Sequence, residues 1–239
     1  MSEPRIFFPV ALNFKGWPCV IVGGGDEAEF KTRIFNQFDK APTVIAEVFT
    51  AGLTEIAESG GANLLRQPYS PDLLSGAKVV LACSEDEQLN LTVGKDAHAQ
   101  GILFNMVDNA EVSDFIASSF TRRGNITVNV MTDALSPAFA NSVRDRIAGI
   151  LETGYQDYLE FFVETKERIN TLTDDLQLKK KVWRELVALG LLEIIEAEGN
   201  HAAASTVDQA LQRHFDPGDE RAGPALSGGG VINKPKSGD

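Results

Sequence analysis

The run Cys19-Val20-Ile21-Val22-Gly23-Gly24-Gly25-Asp26-Glu27-Ala28 constrains this chain more than any other stretch. Its apolar, β-branched start reads as a buried strand, and the G-x-G-x-x-A pattern directly behind it reads as a strand-to-helix turn. Gly23 permits the tight turn, Gly25 lets the backbone come close to a phosphate, and Ala28 lets the following helix pack against the strand. The first N–H groups of that helix and its positive dipole end then face an anion. An amphipathic run follows, with Ala28, Ile34, Phe35 and Phe38 as its apolar residues. In that context Val22, Gly23, Gly24, Gly25, Asp26, Glu27 and Ala28 imply a grip on the pyrophosphate of a dinucleotide rather than a plain structural turn.

At 239 residues the chain is long enough for one large or two small domains, each with its own core. No apolar run reaches the roughly 20 residues of a membrane span, and Met1–Pro9 lacks the basic-then-apolar pattern of a secretion signal. The expected location is the cytoplasm, with no membrane partner. A net charge of −12 argues against nucleic acid as a partner, since such binding leans on a basic footprint. An anionic ligand would need locally gathered cations, and Arg122-Arg123 and the Arg144/Arg146 pair offer them. Cys19 and Cys83 each lie in an apolar run and read as core residues, and His98, His201 and His214 match no metal-ligand spacing. No structural metal site is expected.

Up to about residue 110, short apolar strands alternate with helical patterns, the mark of an α/β fold with a parallel, Rossmann-type sheet. The strands are expected at Pro18–Val22, Thr43–Ala46, Asn63–Arg66, Val79–Ala82 and Ile102–Asn105, and the helices at Asp26–Phe38, Thr50–Ser59 and Glu87–Gln100. Two further strands are expected at Ser113–Ser119 and Asn125–Met131, around a turn at Arg122-Arg123-Gly124-Asn125. Ser136-Pro137 then starts a helix, with Ser as cap and Pro in the first turn, carrying Phe139, Val143, Ile147, Ile150 and Leu151 at helical spacing. From Tyr155 to Phe215 the pattern is helical throughout, a small bundle with Tyr158, Phe161, Phe162, Ile169, Leu176, Trp183, Leu186, Leu189 and Leu192 turned inward. The remainder, rich in Gly, Pro, Ser and charge, reads as a disordered tail. The expected organisation is a dinucleotide-binding domain over 1–112, a segment for dimerisation and the substrate cleft over 113–150, a helical domain over 151–215 and the tail over 216–239.

Three segments in register resemble the precorrin-2 dehydrogenase/sirohydrochlorin ferrochelatase family, the siroheme-synthase N-terminal module. The first runs from Phe7-Phe8-Pro9 through Lys15-Gly16-Trp17-Pro18 to the glycine turn and Lys31, similar to the family's leader and its GGGxxAxxK. The second is Asn105-Met106-Val107-Asp108 with Ser113-Asp114-Phe115-Ile116, similar to the N-x-V-D…F-I block. The third is Thr132 to Arg146, where Ser136-Pro137 and Arg144 match TGG-x-SP…R. The chain's length fits the stand-alone form, without an appended methyltransferase domain.

The resemblance implies oxidation of precorrin-2 to sirohydrochlorin with NAD⁺ as acceptor, and in some members Fe²⁺ insertion to give siroheme. It implies a homodimer, and Asp108 as the general base, against the plain alternative that Asp108 only tethers the loop behind the fifth strand. The substrate's eight carboxylates call for Arg122, Arg123, Arg144 and Arg146, whose planar forks meet a carboxylate bidentately. Asn105, Thr132 and Ser136 are further candidates for substrate contact, although capping alone explains Ser136. Cys83 and Ser84, behind the fourth strand, join the cofactor set, and Glu47, behind the second, is the candidate for the ribose hydroxyls and hence for NAD.

Two departures from the family pattern bear on the cleft. Thr-Gly-Gly reads Thr132-Asp133-Ala134, which is expected to remove positive φ and narrow the site, and Ala117-Ser118-Ser119 stands where a Pro is usual. They leave open a tetrapyrrole binder or chelatase without redox turnover. A nucleotide-sensing regulatory domain is the alternative of another class.

Overall fold

A computed structural model describes residues 7–133, 135–151 and 155–215. The sheet residues are those the alternation picks out: β1 (Cys19–Val22), β2 (Thr43–Ala46), β3 (Asn63–Arg66), β4 (Val79–Ala82) and β5 (Leu103–Met106). All pair in parallel in the order β3-β2-β1-β4-β5. Parallel strands are buried on both faces, which is why β1 and β4 are apolar at every position. Val20, Val22, Ile45, Val80, Ala82 and Phe104 share one face with Val93 and Ala97 of α3 (Glu87–Ala99). Cys19, Ile21, Val44, Val79 and Leu81 share the other with Ala28 and Phe35 of α1 (Asp26–Asn36) and Leu53 of α2 (Ala51–Glu58).

The chain leaves β1 toward β2 on one side and returns to β4 on the other. The carboxyl ends of β1 and β4 therefore form the switch point at which open α/β sheets bind ligands. Side-chain caps fix two of the flanking helices: Thr50 Oγ1 accepts from Leu53 N at 3.1 Å, and Asp86 Oδ1 accepts from Gln88 N at 2.9 Å.

The expected strand at Ser113–Ser119 is not one. Its first residues are bound back onto β5 by side chains: Met106 N donates to Ser113 Oγ at 2.9 Å, and Phe104 N donates to Asp114 Oδ2 at 2.9 Å. One backbone bond also forms, from Asp114 N to Phe104 O at 2.8 Å, but with the Phe104 and Met106 amides of β5 given to side chains no ladder develops. The strand forms instead as β6 (Ser119–Arg123), pairing with β7 (Ile126–Val130), so Arg122 and Arg123 end a strand and the turn is Gly124-Asn125. β5 also sits one residue later than expected. Helix α4 (Pro137–Ile150) starts where Ser136-Pro137 places it, with Phe139 N donating to Ser136 Oγ at 3.3 Å, but Phe139 and Ile150 are exposed.

The chain divides into two compact units. One comprises the sheet domain to Ser119 with Asn129–Ser142, and the other comprises Phe120–Val128 and the residues from Val143 on. In the second unit, α5 (Tyr155–Leu172), α6 (Leu176–Ala188), α7 (Leu191–Glu198) and α8 (Asn200–His214) enclose Ile169, Val182, Leu186, Leu191, Ala203, Val207 and Leu211. Phe162 meets Trp183 edge to face, with ring centres 5.3 Å apart. Leu176 corrects the expected bundle core: as the first residue after the Asp175 cap it lies outside the packed turns and is 68% exposed. The expected tail over 216–239 lies outside the described residues.

Glu185 ties α6 to α8, pairing with His214 Nε2 at 2.6 Å and Arg213 Nη1 at 3.1 Å. The His214 hydrogen bond, followed by the charge of Arg213, holds its carboxyl below the ordinary range. A lowered carboxylate pKa adds stability above the unfolded-state value and loses it as pH falls through the folded value. Glu185→Gln is therefore expected to melt below the parent chain near neutrality and to converge with it under acid. Parallel melting curves across pH check this, and a constant gap would exclude a linked carboxylate.

Candidate functional site

The glycine turn is locked between two neighbouring strand ends. Gly23 N donates to Ile45 O at 2.9 Å, Thr50 N to Gly24 O at 3.0 Å, and Cys83 N to Val22 O at 2.8 Å. Gly23 adopts φ +133°, and a Cβ there would lie 2.6 Å from Cys83 O. A Cβ on Gly24 would fall 1.9 Å from Val48 O. Around Gly25, whose φ is −86°, a Cβ would meet nothing within 4 Å. Two glycines are thus demanded by the protein itself, and the third opens a space beside the first turn of α1, where unpaired N–H groups gather. Open access to helix N–H groups is the chemistry a pyrophosphate requires.

Ala28 is fully buried, which brings α1 close to β1. Asp26 is exposed, and Glu27 pairs with Lys31 Nζ at 3.1 Å. Glu47 is exposed at the carboxyl end of β2. Cys83 is buried beside the turn, and desolvation pushes its thiol up to about 12, which makes it a neutral wall rather than a nucleophile. The carboxyl ends of the parallel, neighbouring strands β1, β4 and β5 share one edge of the sheet, so the glycine turn, Cys83 and the turn that carries Asp108 stand at the same end. Ser84 is fixed by Asn90, which accepts from Ser84 N at 3.0 Å and donates to Ser84 O at 2.7 Å.

Asp108 sits on the turn behind β5 with φ +65°, exposed. A left-handed non-glycine residue is uncommon and clusters at functional sites. Asn105 is buried: its amide donates to Phe115 O at 2.9 Å, so it anchors the segment behind Asp108 instead of reaching outward.

Thr132 and Ser136 bracket a tight turn. Ser136 N donates to Thr132 Oγ1 at 3.2 Å, and Leu135 N donates to Thr132 O at 2.8 Å. The expectation that Asp133 removes positive φ is corrected: Asp133 stands at φ +48°. Aspartate tolerates this region better than most residues, so the turn survives without its glycine. Asp133→Gly is expected to cost no stability, and Asp133→Val to cost about 1–2 kcal/mol, because a β-branched residue resists a left-handed backbone. Melting temperatures of the two variants check the order; Val equal to Gly would contradict it. Ala134 lies outside the described residues.

The four candidate arginines belong to the second unit. Arg122 Nε donates to Gly124 O at 3.0 Å, Arg123 and Arg146 are exposed, and Arg144 Nε donates to Asp145 Oδ1 at 2.9 Å.

Sequence reasoning named Lys31 only as the lysine of the GGGxxAxxK pattern, without a role, and passed over Asn90. The Lys31 pairing was legible from its place four positions after Glu27; a buried Asn in the first turn of a helix leaves no comparable pattern. Among the described residues no cluster of three or more His, Cys, Asp or Glu could hold a metal, and no helix is long and apolar enough to cross a membrane.

Residues 10–119 match the family model described as "Putative NAD(P)-binding". The siroheme synthase of Chromobacterium violaceum is 31% identical over 228 residues, covering 95% of this chain and 48% of that protein. The siroheme synthase of Nitrosococcus oceani is 28% identical over 211 residues, covering 88% and 45%. The chain thus spans about half the length of the curated relatives it matches. A solved structure titled "SirC, precorrin-2 dehydrogenase" superposes with a TM-score of 0.67 at 22% identity, covering 86% of this chain and all of that one, and so shares the fold. With its glycine turn, N-x-V-D block and SP…R segment in register, the chain resembles the precorrin-2 dehydrogenase/sirohydrochlorin ferrochelatase family, and its similarity to siroheme synthases runs along almost its own whole length.

Proposed function

We propose that this chain oxidises precorrin-2 to sirohydrochlorin with NAD⁺, in the cytoplasm and as a homodimer. The observation that carries the reading is that the open Gly25 turn behind β1 and Asp108 behind β5 stand at the same end of one parallel sheet. When bound, the dinucleotide supplies the hydride acceptor. The chain's own residues do the rest. The first-turn N–H groups of α1 hold the pyrophosphate, Glu47 takes the ribose hydroxyls, and the apolar Cys83 wall keeps water from the reacting face. The oxidation removes two electrons and two hydrogens from the macrocycle; one hydrogen leaves as a proton, and Asp108 takes it. Where Fe²⁺ is a second substrate, two pyrrole protons leave in turn, and the exposed Asp108 carboxylate takes each and passes it to solvent. Arg122, Arg123, Arg144 and Arg146 are the candidate cations for the tetrapyrrole carboxylates, which planar guanidinium forks suit.

The dimer reading rests on the β6–β7 pair. Among the described residues these strands pair only with each other, with Ile126, Val128 and Val130 on one half-buried face. A two-stranded ribbon is marginal in water, and strands from a second copy would complete it. The catalytic reading is tested by anaerobic addition of precorrin-2 to protein and NAD⁺ while absorbance of NADH is followed. Tetrapyrrole binding without NADH would leave a binder or chelatase in its place.

A further inference from the structure

The carboxyl end of β3 carries a cation that none of the roles above uses. Arg66 is the last residue of β3 and lies in register with Ala46, the last residue of β2, so it stands beside the loop that begins at Glu47. Its Nη1 donates to Glu47 O at 3.2 Å, and its guanidinium lies 5.1 Å from the centre of the Phe49 ring. The side chain is exposed yet held at two points, so little rotamer freedom remains for a ligand to remove. The loop it braces is the one that closes on the pyrophosphate turn: Thr50 N donates to Gly24 O, and Val48 O fills the space a Cβ on Gly24 would need.

In a Rossmann-type half the end of β2 is where the adenosine ribose sits, an acid there favouring free hydroxyls and an arginine accommodating a 2′-phosphate. This chain presents both. Resting on the dinucleotide reading above, we propose that Arg66 is a specificity-determining residue that lets the site take the 2′-phosphorylated dinucleotide alongside the unphosphorylated one. Glu47 contributes the opposing preference. One guanidinium donor is given to Glu47 O, and a guanidinium has five, so donors remain for a phosphate without breaking the brace. The two opposite charges at one strand end largely offset each other for a phosphate, which predicts comparable affinities rather than exclusion of either ligand.

The test is calorimetric titration of the full chain with NAD⁺ and with NADP⁺, without tetrapyrrole. The parent chain is expected to bind both, with dissociation constants within about 30-fold of each other. Arg66→Gln should weaken NADP⁺ about tenfold or more, the loss of one charge-assisted contact, and leave NAD⁺ within about threefold. Glu47→Gln should move the ratio the other way. Arg66→Lys, which keeps the charge without the planar stack, should retain part of the NADP⁺ affinity. Binding of NAD⁺ with no detectable NADP⁺ binding overturns the proposal. Equal weakening of both ligands by Arg66→Gln overturns it too, since a residue that only braces the loop would act so. Failure of the parent chain to bind either ligand overturns the dinucleotide reading, and this proposal with it.

Discussion

Gly25→Ala should melt with the parent chain and bind NAD⁺ about 100-fold more weakly. Both halves follow from one observation. At φ −86° the backbone accepts any L-residue, and a Cβ there touches no protein atom within 4 Å, so the change in stability should stay within about 0.5 kcal/mol. In the proposed binding mode a pyrophosphate approaches the first turn of α1 through the same space, and a methyl group there would hold it away from the N–H groups. Gly24→Ala is the control with the opposite signature. Its methyl would be driven into Val48 O, and forced overpacking costs roughly 1–3 kcal/mol or more. Calorimetric titration beside thermal melts separates the two. Equal loss of stability in both variants would mean that the opening at Gly25 is not a ligand's place.

The second large effect is at Asp108. Asp108→Asn preserves shape and the left-handed turn, since asparagine tolerates φ +65° as aspartate does, but it removes the proposed base. NADH formation from precorrin-2 should fall about 10²- to 10⁴-fold, the usual contribution of a positioned base, while NAD⁺ affinity and melting temperature hold. Full activity would return Asp108 to the tethering role. An accompanying collapse in stability would say the same, because a residue that only holds its loop would act through folding.

Much of this was legible in the sequence because local chemistry and tertiary demand agree. Val20 to Val22 are apolar since a central parallel strand is buried on both faces, and Gly23 and Gly24 are glycines since neighbouring carbonyls leave no room for a side chain. Thr50, Asp86 and Asp175 cap helices as their types predict. Disagreement arises where side chains replace backbone partners. The Ser113 hydroxyl and the Asp114 carboxylate accept from β5 amides, so Ser113–Ser119 looks like a strand by composition and is held as a strap. Leu176 looks like bundle core by spacing, but its place just inside a helix cap puts it in water. Asp133 shows the reverse case, a backbone geometry retained after the glycine that usually marks it has gone. Of the candidate site, the glycine turn and the aspartate behind β5 could be named from the sequence; that the ends of β1, β4 and β5 share one edge could not be read off any one motif, because it depends on which strands are neighbours.

The central claim is that this sheet end carries out a two-electron oxidation of a tetrapyrrole. It is tested most directly by a single-turnover mix of excess protein with NAD⁺ and limiting precorrin-2 under anaerobic conditions, with NADH and sirohydrochlorin quantified together. The account predicts the two products in equal amounts, rising with one rate constant. Bound precorrin-2 that stays unoxidised beside intact NAD⁺ would contradict it.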